Sequence, residues 1–249
     1  MRHDMLTTVV TVLALLVTAP VQAQSASSGY GIQRSDELAD PTLRAWRKKM
    51  VAGGRMTFNQ LRSLADAYDG LAAFKVAQRL QESGDAALMD DVLHYYAIAV
   101  YTGRAFAVPQ VVRLVDSGKV QFTPTLAKSV EDALLVQSIK GMPAASSALA
   151  RMYLVGKPFG AKPEEGLALL ERVAAEGDGD AAVELGMIYL SGRSGIPADT
   201  AKARAALKLG VQSEDLSAST MAANLLRGLP PTAPPRRPAD IMTAQGIEE

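Results

Sequence analysis

Glycine recurs along this chain at a nearly fixed interval, and that interval limits the fold more than any other feature. Gly84, Gly118, Gly156, Gly192 and Gly228 each close an apolar helical pattern, at spacings of 34, 38, 36 and 36 residues. A second series, Gly70, Gly103, Gly141 and Gly177, falls between them at spacings of 33, 38 and 36. Two interleaved ladders of one period predict two helices per repeat, each stopped by a residue free to take φ > 0 after its last turn. One such pair cannot bury its apolar stripe alone, so neighbours must stack into a continuous core and expose a concave face. With only 5% aromatic residues, and Ala and Leu abundant, the composition suits close helix packing better than a β-sandwich.

The best two copies overlay directly. AASSALARMYLVG, running to Gly156, and DAAVELGMIYLSG, running to Gly192, align at an offset of 36 residues. Ala145 then matches Ala181, Leu149 matches Leu185, Tyr153 matches Tyr189 and Gly156 matches Gly192, positions that share one face of an α-helix. Ala150 and Gly186 are small at matching places, where a neighbouring helix must come close. Each second helix begins at a start signal: Pro163 at a first-turn position, and Asp199 as an N-cap before Lys202 and Ala203.

The run Ala181, Leu185-Gly186, Tyr189, Gly192, then Asp199, Lys202 and Ala203, is similar to the Sel1-like repeat, a relative of the tetratricopeptide repeat. Leu149, Tyr153, Gly156, Ala174 and Gly177 resemble the same pattern in the preceding copy, with Ala150 in place of the usual Gly. The resemblance covers about residues 141–228 and weakens toward residue 41, where Ala107, Val111, Val115 and Gly118 keep only the small and apolar frame. It implies an all-α, right-handed α/α superhelix, a solenoid of Sel1-like or TPR-like helix pairs, used mostly as an adaptor.

Reading periodicity and caps along the chain gives eleven helices, at 41–52, 57–69, 71–81, 89–102, 106–117, 124–140, 143–155, 163–176, 180–191, 199–211 and 213–227. The organisation expected is a signal peptide over 1–23, a flexible Ser/Gly-rich segment over 24–40 and degenerate repeats over 41–140. Sel1-like repeats with a capping helix come next over 141–228, and a Pro-rich disordered tail over 229–249. The first segment has Arg2, a mostly apolar stretch broken by threonines, and Val21-Gln22-Ala23 before Gln24, which suits cleavage near Ala23/Gln24 and export to the periplasm. It is too short and too polar for a spanning helix. Five prolines between Pro230 and Pro238 forbid a helix there and favour extended polyproline II.

Chemistry is sparse. Lys+Arg and Asp+Glu both number 26, so nothing neutralises a phosphate backbone and nucleic acid is not expected. Cysteine is absent, which excludes disulfides and thiolate sites. Once the first segment is removed, His94 is the only histidine, and Asp90 lies one turn before it. The pairs Asp90-Asp91, Glu131-Asp132, Glu164-Glu165 and Asp178/Asp180 read mostly as helix-start charges. Arg44, Arg47, Lys48 and Lys49 read as a solvated basic face. No catalytic, metal or cofactor site is expected.

The expectation is therefore a non-catalytic adaptor that binds a protein partner of the envelope or membrane through its concave face. The alternatives are a factor binding or acting on cell-wall or exopolysaccharide material. Tyr153 and Tyr189 read as structural. His94, Tyr95, Tyr96, Tyr101 and Phe106, within the irregular stretch 74–122, are the candidate partner-binding residues.

Overall fold

A computed structural model describes residues 31–231. The expected signal peptide, residues 24–30 and nearly all of the Pro-rich tail lie outside the described residues. Within them the chain forms α1 (Pro41–Val51), α2 (Phe58–Asp66), α3 (Gly70–Glu82), α4 (Met89–Tyr101), α5 (Val108–Ser117) and α6 (Pro124–Ile139). Then come α7 (Pro143–Val155), α8 (Pro163–Ala175), α9 (Gly179–Ser191), α10 (Thr200–Val211) and α11 (Leu216–Arg227). All eleven coincide with the helices expected from the sequence, with ends differing by at most three residues.

The starts are written in side chains. Asp69, Asp178, Asp199 and Asp215 each accept backbone N–H groups of the next helix's first turn, and Thr57 and Thr123 do so through their hydroxyls. Proline occupies the first position of α1, α6, α7 and α8.

Most of the glycine ladder marks helix ends, but not all of it. Gly118, Gly156 and Gly192 come directly after α5, α7 and α9 at φ of 67°, 81° and 66°. Gly228 comes after α11 at φ −77°, so no left-handed residue is needed there. Gly70 opens α3 rather than closing α2, and it must be glycine for a different reason. A Cβ on Gly70 would stand 1.8 Å from Thr102 Oγ1. The left-handed position beyond α2 is taken instead by Tyr68, at φ 61°.

Consecutive helices pack on each other, α5 and α6 excepted, and contacts also run along two layers. α4 meets α6 and α8 meets α10 in one layer, while α5 meets α7 and α9 meets α11 in the other. α7 contributes Leu149 and Tyr153 to the core before it, and Ala150 and Leu154 to the core after it, so the apolar interior runs on through the repeats. Leu149, Ala174, Ala181, Leu185 and Ala203 are all buried in that interior. Gly186 sits where a Cβ would come within 2.6 Å of Leu207 Cδ2. Beside the matching Ala150 the small residue stands on the facing helix, where a Cβ on Gly166 would come within 2.9 Å of the Ala150 carbonyl oxygen.

Residues 31–40, expected to be a flexible lead-in, are fixed. Ile32 N–H donates to the Tyr68 carbonyl at 2.9 Å, and Gln33 Nε2 donates to the Thr102 carbonyl at 2.7 Å. Ser35–Glu37 form a 3₁₀ turn and Leu38 is buried. The anchor is Arg47, which the sequence placed on a solvated basic face. Its guanidinium is buried, 2.5 Å from Asp69 Oδ2, and also donates to the Gln33 carbonyl at 2.6 Å and to Ser35 Oγ at 3.2 Å. A Ser/Gly-rich composition signalled flexibility because it has no apolar period, yet a few backbone and side-chain hydrogen bonds and the buried Leu38 hold residues 31–40 in place.

Candidate functional site

α4 is buried nearly all round, because α3 packs on one side and α6 on another. One stripe of it, in which His94, the largely buried Ile98 and Tyr101 fall at helical spacing, lines a groove. α6 presents Pro124, Thr125, Lys128, Ser129 and Asp132 opposite it, and Tyr68 stands at one end. Together they enclose a groove of about 560 Å³.

Tyr68 is half exposed and meets Tyr101 edge to face, with ring centroids 6.1 Å apart at 63°. Its backbone is left-handed, which costs a bulky residue on the order of 1–2 kcal/mol. Hydrogen bonds on both sides hold it there: Tyr68 N–H donates to the Ala65 carbonyl at 2.8 Å, and the Tyr68 carbonyl accepts from Ile32. Strain of this kind collects at functional sites. Lys128 and Asp132 pair across one turn at 3.0 Å, but both are exposed, so the pair adds charge pattern rather than stability.

Two of the five candidate residues, His94 and Tyr101, line this groove. Tyr95 and Tyr96 do not reach any surface a partner could use. They are 6% and 1% exposed, and their hydroxyls donate to Asp66 Oδ1 at 2.9 Å and Gln81 Oε1 at 2.8 Å. Burial pushes both hydroxyls above the usual tyrosine range, and for Tyr95 the Asp66 carboxylate adds to it. They fill the interior between α4 and its neighbours, so their place beside His94 in sequence does not put them beside it in function. Phe106 is half exposed but packs elsewhere, edge to face on Phe74 with centroids 4.7 Å apart. Asp90, one turn from His94, spends Oδ1 on the Gln121 N–H at 2.9 Å. Among the described residues, no group of three or more His, Cys, Asp or Glu is placed to hold a metal ion. No helix among them is long and apolar enough to cross a membrane.

The repeat tyrosines organise a second set of contacts. Tyr153 of α7 donates to Glu131 of α6 at 2.8 Å, and Lys162 lies 4.7 Å from the Tyr153 ring centroid while pairing with Glu131 at 2.5 Å. Tyr189 of α9 donates to Glu171 of α8 at 2.7 Å, with Lys202 at 5.3 Å from its ring centroid. Burial and then the accepting carboxylate hold both phenols neutral, Tyr189 pushed up to about 12 and Tyr153 beyond it. Each unit ties a phenol, a carboxylate and an ammonium from successive elements into one joint.

Sequence reasoning missed Tyr68, Lys128 and Asp132 as groove residues, and Glu131, Glu171 and Lys162 as partners of the repeat tyrosines. No sequence signal pointed to Tyr68, because Gly70 already stood in the ladder where that helix end was expected.

No family model matches the sequence, and no curated protein matches it significantly. Solved structures do. A Sel1 repeat protein from Oxalobacter formigenes is 22% identical, covers 77% of this chain and superposes with a TM-score of 0.50. A protective antigen of uropathogenic Escherichia coli strains, displaying an SLR fold, is 17% identical over 75% of this chain with a TM-score of 0.48. This chain spans 54% and 41% of the length of those two chains. At that identity the first likeness bears on architecture, and the architecture is that of a Sel1-like repeat solenoid.

Proposed function

We propose that this chain, with its Sel1-like repeat fold, is a non-catalytic scaffold that binds a partner protein, and that the groove between α4 and α6, with Tyr68 at its end, is where it does so. The observation that carries the reading is Tyr68, a bulky exposed aromatic residue held in left-handed backbone and aimed beside Tyr101 at the mouth of the groove. Tyrosine supplies large contact area at low cost in side-chain entropy, and aromatic residues dominate binding energy at interfaces.

In this reading the protein acts after export to the periplasm, its partner is an envelope or membrane protein, and the segment before about Gln24 is removed. A polysaccharide-binding role would draw support from exposed aromatic residues repeating at the solenoid period, but the two that repeat, Tyr153 and Tyr189, are buried.

The test is a photoreactive residue placed at Tyr68 or at Tyr101 in the cell of origin, with Leu216 as a control site. The same protein should be crosslinked from both groove positions and not from the control, and Tyr68→Ala in the unlabelled chain should abolish its co-purification. Equal crosslinking from Leu216, or retention of the partner by Tyr68→Ala, would overturn the assignment. The mass of the mature chain isolated from the periplasmic fraction tests export separately.

A further inference from the structure

The helices of one layer end alike. The last residues of α4, α6, α8 and α10 are Tyr101, Ile139, Ala175 and Val211, all uncharged. Tyr68, which follows α2, and these four stand two residues before Gly70, Gly103, Gly141, Gly177 and Ser213 in turn, so one position of the repeat stays apolar from unit to unit. The core does not account for it: Ile139 is 71% exposed, Tyr68 50% and Val211 39%, and Ala175 is exposed as well. Contacts between neighbouring ends hold the row level. Tyr68 meets the Tyr101 ring, Gln137 Nε2 of α6 donates to the Tyr101 carbonyl at 2.6 Å, and Arg172 Nη2 of α8 donates to the Ser138 carbonyl at 3.2 Å. α10 packs on α8 in turn. The row thus starts at the groove, where Tyr68 and Tyr101 lie, and leads away from it across the ends of the later helices.

Resting on the reading that the groove takes a partner protein, we infer that the partner presents an extended, proline-rich segment, which runs out of the groove along this row with one apolar side chain per helix. Spacing selects that conformation. Packed helices stand about 8–10 Å apart, and polyproline II returns to the same face every third residue, a rise of about 9.3 Å. A β-strand returns every second residue, about 6.7 Å, and an α-helix every turn, about 5.4 Å, so both fall out of step with the row within one or two helices. From Tyr68 to Val211 the segment would use about 12 residues, three for each helix crossed. A segment already held extended by proline loses little entropy on binding, which suits a row of small, separate contacts.

The probe is a labelled synthetic peptide of repeated Leu-Pro-Pro units, about 15 residues long, titrated with the full chain and followed by fluorescence anisotropy. It should bind at least about tenfold more tightly than a peptide of the same composition whose leucines are shuffled off the three-residue spacing. Ile139→Glu and Val211→Glu change exposed side chains outside the groove, and far-UV circular dichroism verifies that each variant is folded. Each should weaken the peptide by about fivefold or more. In the cell of origin, a photoreactive residue at Ile139 should capture the same protein as one at Tyr68. Equal affinity for the two peptides, or undiminished binding by both glutamate variants, would overturn the inference. So would failure of the peptide to bind, including the case in which this chain's own prolines at 230–238 fill the row. Capture of one protein from Tyr68 and Tyr101 but not from Ile139 would leave the proposed function standing and remove the extended segment from it.

Discussion

Replacing Arg47 by Met removes a guanidinium with three acceptors and leaves the Asp69 carboxylate, 0% exposed, without its charge partner. Asp69 Oδ1 would still cap α3 through Leu71 and Ala72 N–H, at 3.0 and 2.9 Å, so the helix start survives while Oδ2 is stranded. Removing one member of a buried pair costs about 3–5 kcal/mol, because the remaining charge is neither solvated nor matched. Asp69→Asn keeps an oxygen for the cap but strands the buried Arg47 in turn; because the guanidinium retains the Gln33 carbonyl and Ser35 Oγ as acceptors, its cost should lie at the low end of that range, about 3 kcal/mol. The double variant Arg47→Met with Asp69→Asn contains no stranded charge and should be more stable than Arg47→Met alone. Urea unfolding followed by circular dichroism gives the three values, and hydrogen exchange at Ile32 reports whether residues 31–38 detach. An Arg47→Met cost below about 1 kcal/mol, or a double-variant cost equal to the sum of the singles, would refute the reasoning.

Tyr153 and Tyr189 should remain neutral well above the ordinary tyrosine value of about 10. Because their folded values are raised, the stability they contribute is fully present below about pH 10 and is lost as pH climbs toward 12 and beyond, so phenolate absorbance and helix loss should rise together in that window; two fewer late-titrating phenols would contradict this. Gly166→Ala should lower stability by about 1–3 kcal/mol, since the added methyl meets the Ala150 backbone, whereas Gly84→Ala meets nothing and should cost only the roughly 1 kcal/mol of left-handed backbone, both read from thermal melts. Tyr68→Gly relieves about 1–2 kcal/mol of backbone strain but adds about 0.4–1 kcal/mol of unfolded-state entropy and loses the Tyr101 contact, so stability should change by less than about 1 kcal/mol while retention of the partner falls.

The architecture was legible because glycine, proline and capping aspartates act locally and leave marks at fixed places. Helix order and number can be read from Asp178, Asp199 and Pro163 without knowledge of any long-range contact. The joints were not legible, and the Tyr-Glu-Lys units show why. At the 36-residue offset, Lys202 corresponds to Gly166 and Glu171 to Leu135, so neither charged partner of Tyr189 has a counterpart in frame. In the Tyr153 unit both partners, Lys162 and Glu131, stand four residues earlier, Glu131 one helical turn back on α6 and Lys162 just before the start of α8. The contact is preserved in space and displaced in register, which no overlay of the sequence on itself reveals. Tyr95 and Tyr96 failed for a related reason: adjacent aromatic residues on a helix hemmed in by two neighbours are both drawn into the core, and periodicity alone does not count the neighbours. Arg47 looked like one of four surface cations because its partner, Asp69, lies 22 residues away.

The tie between Gln33 and Thr102 spans 69 residues of chain. A ribosome adding about 5–20 residues per second makes Thr102 some 3–14 s after Gln33. About halfway through that interval the Tyr68 carbonyl and Asp69 exist and can hold Ile32 and Arg47, but the Thr102 acceptor of Gln33 comes only at its end. The earliest of the described residues thus receive the last of their ties only after the fourth helix has been made.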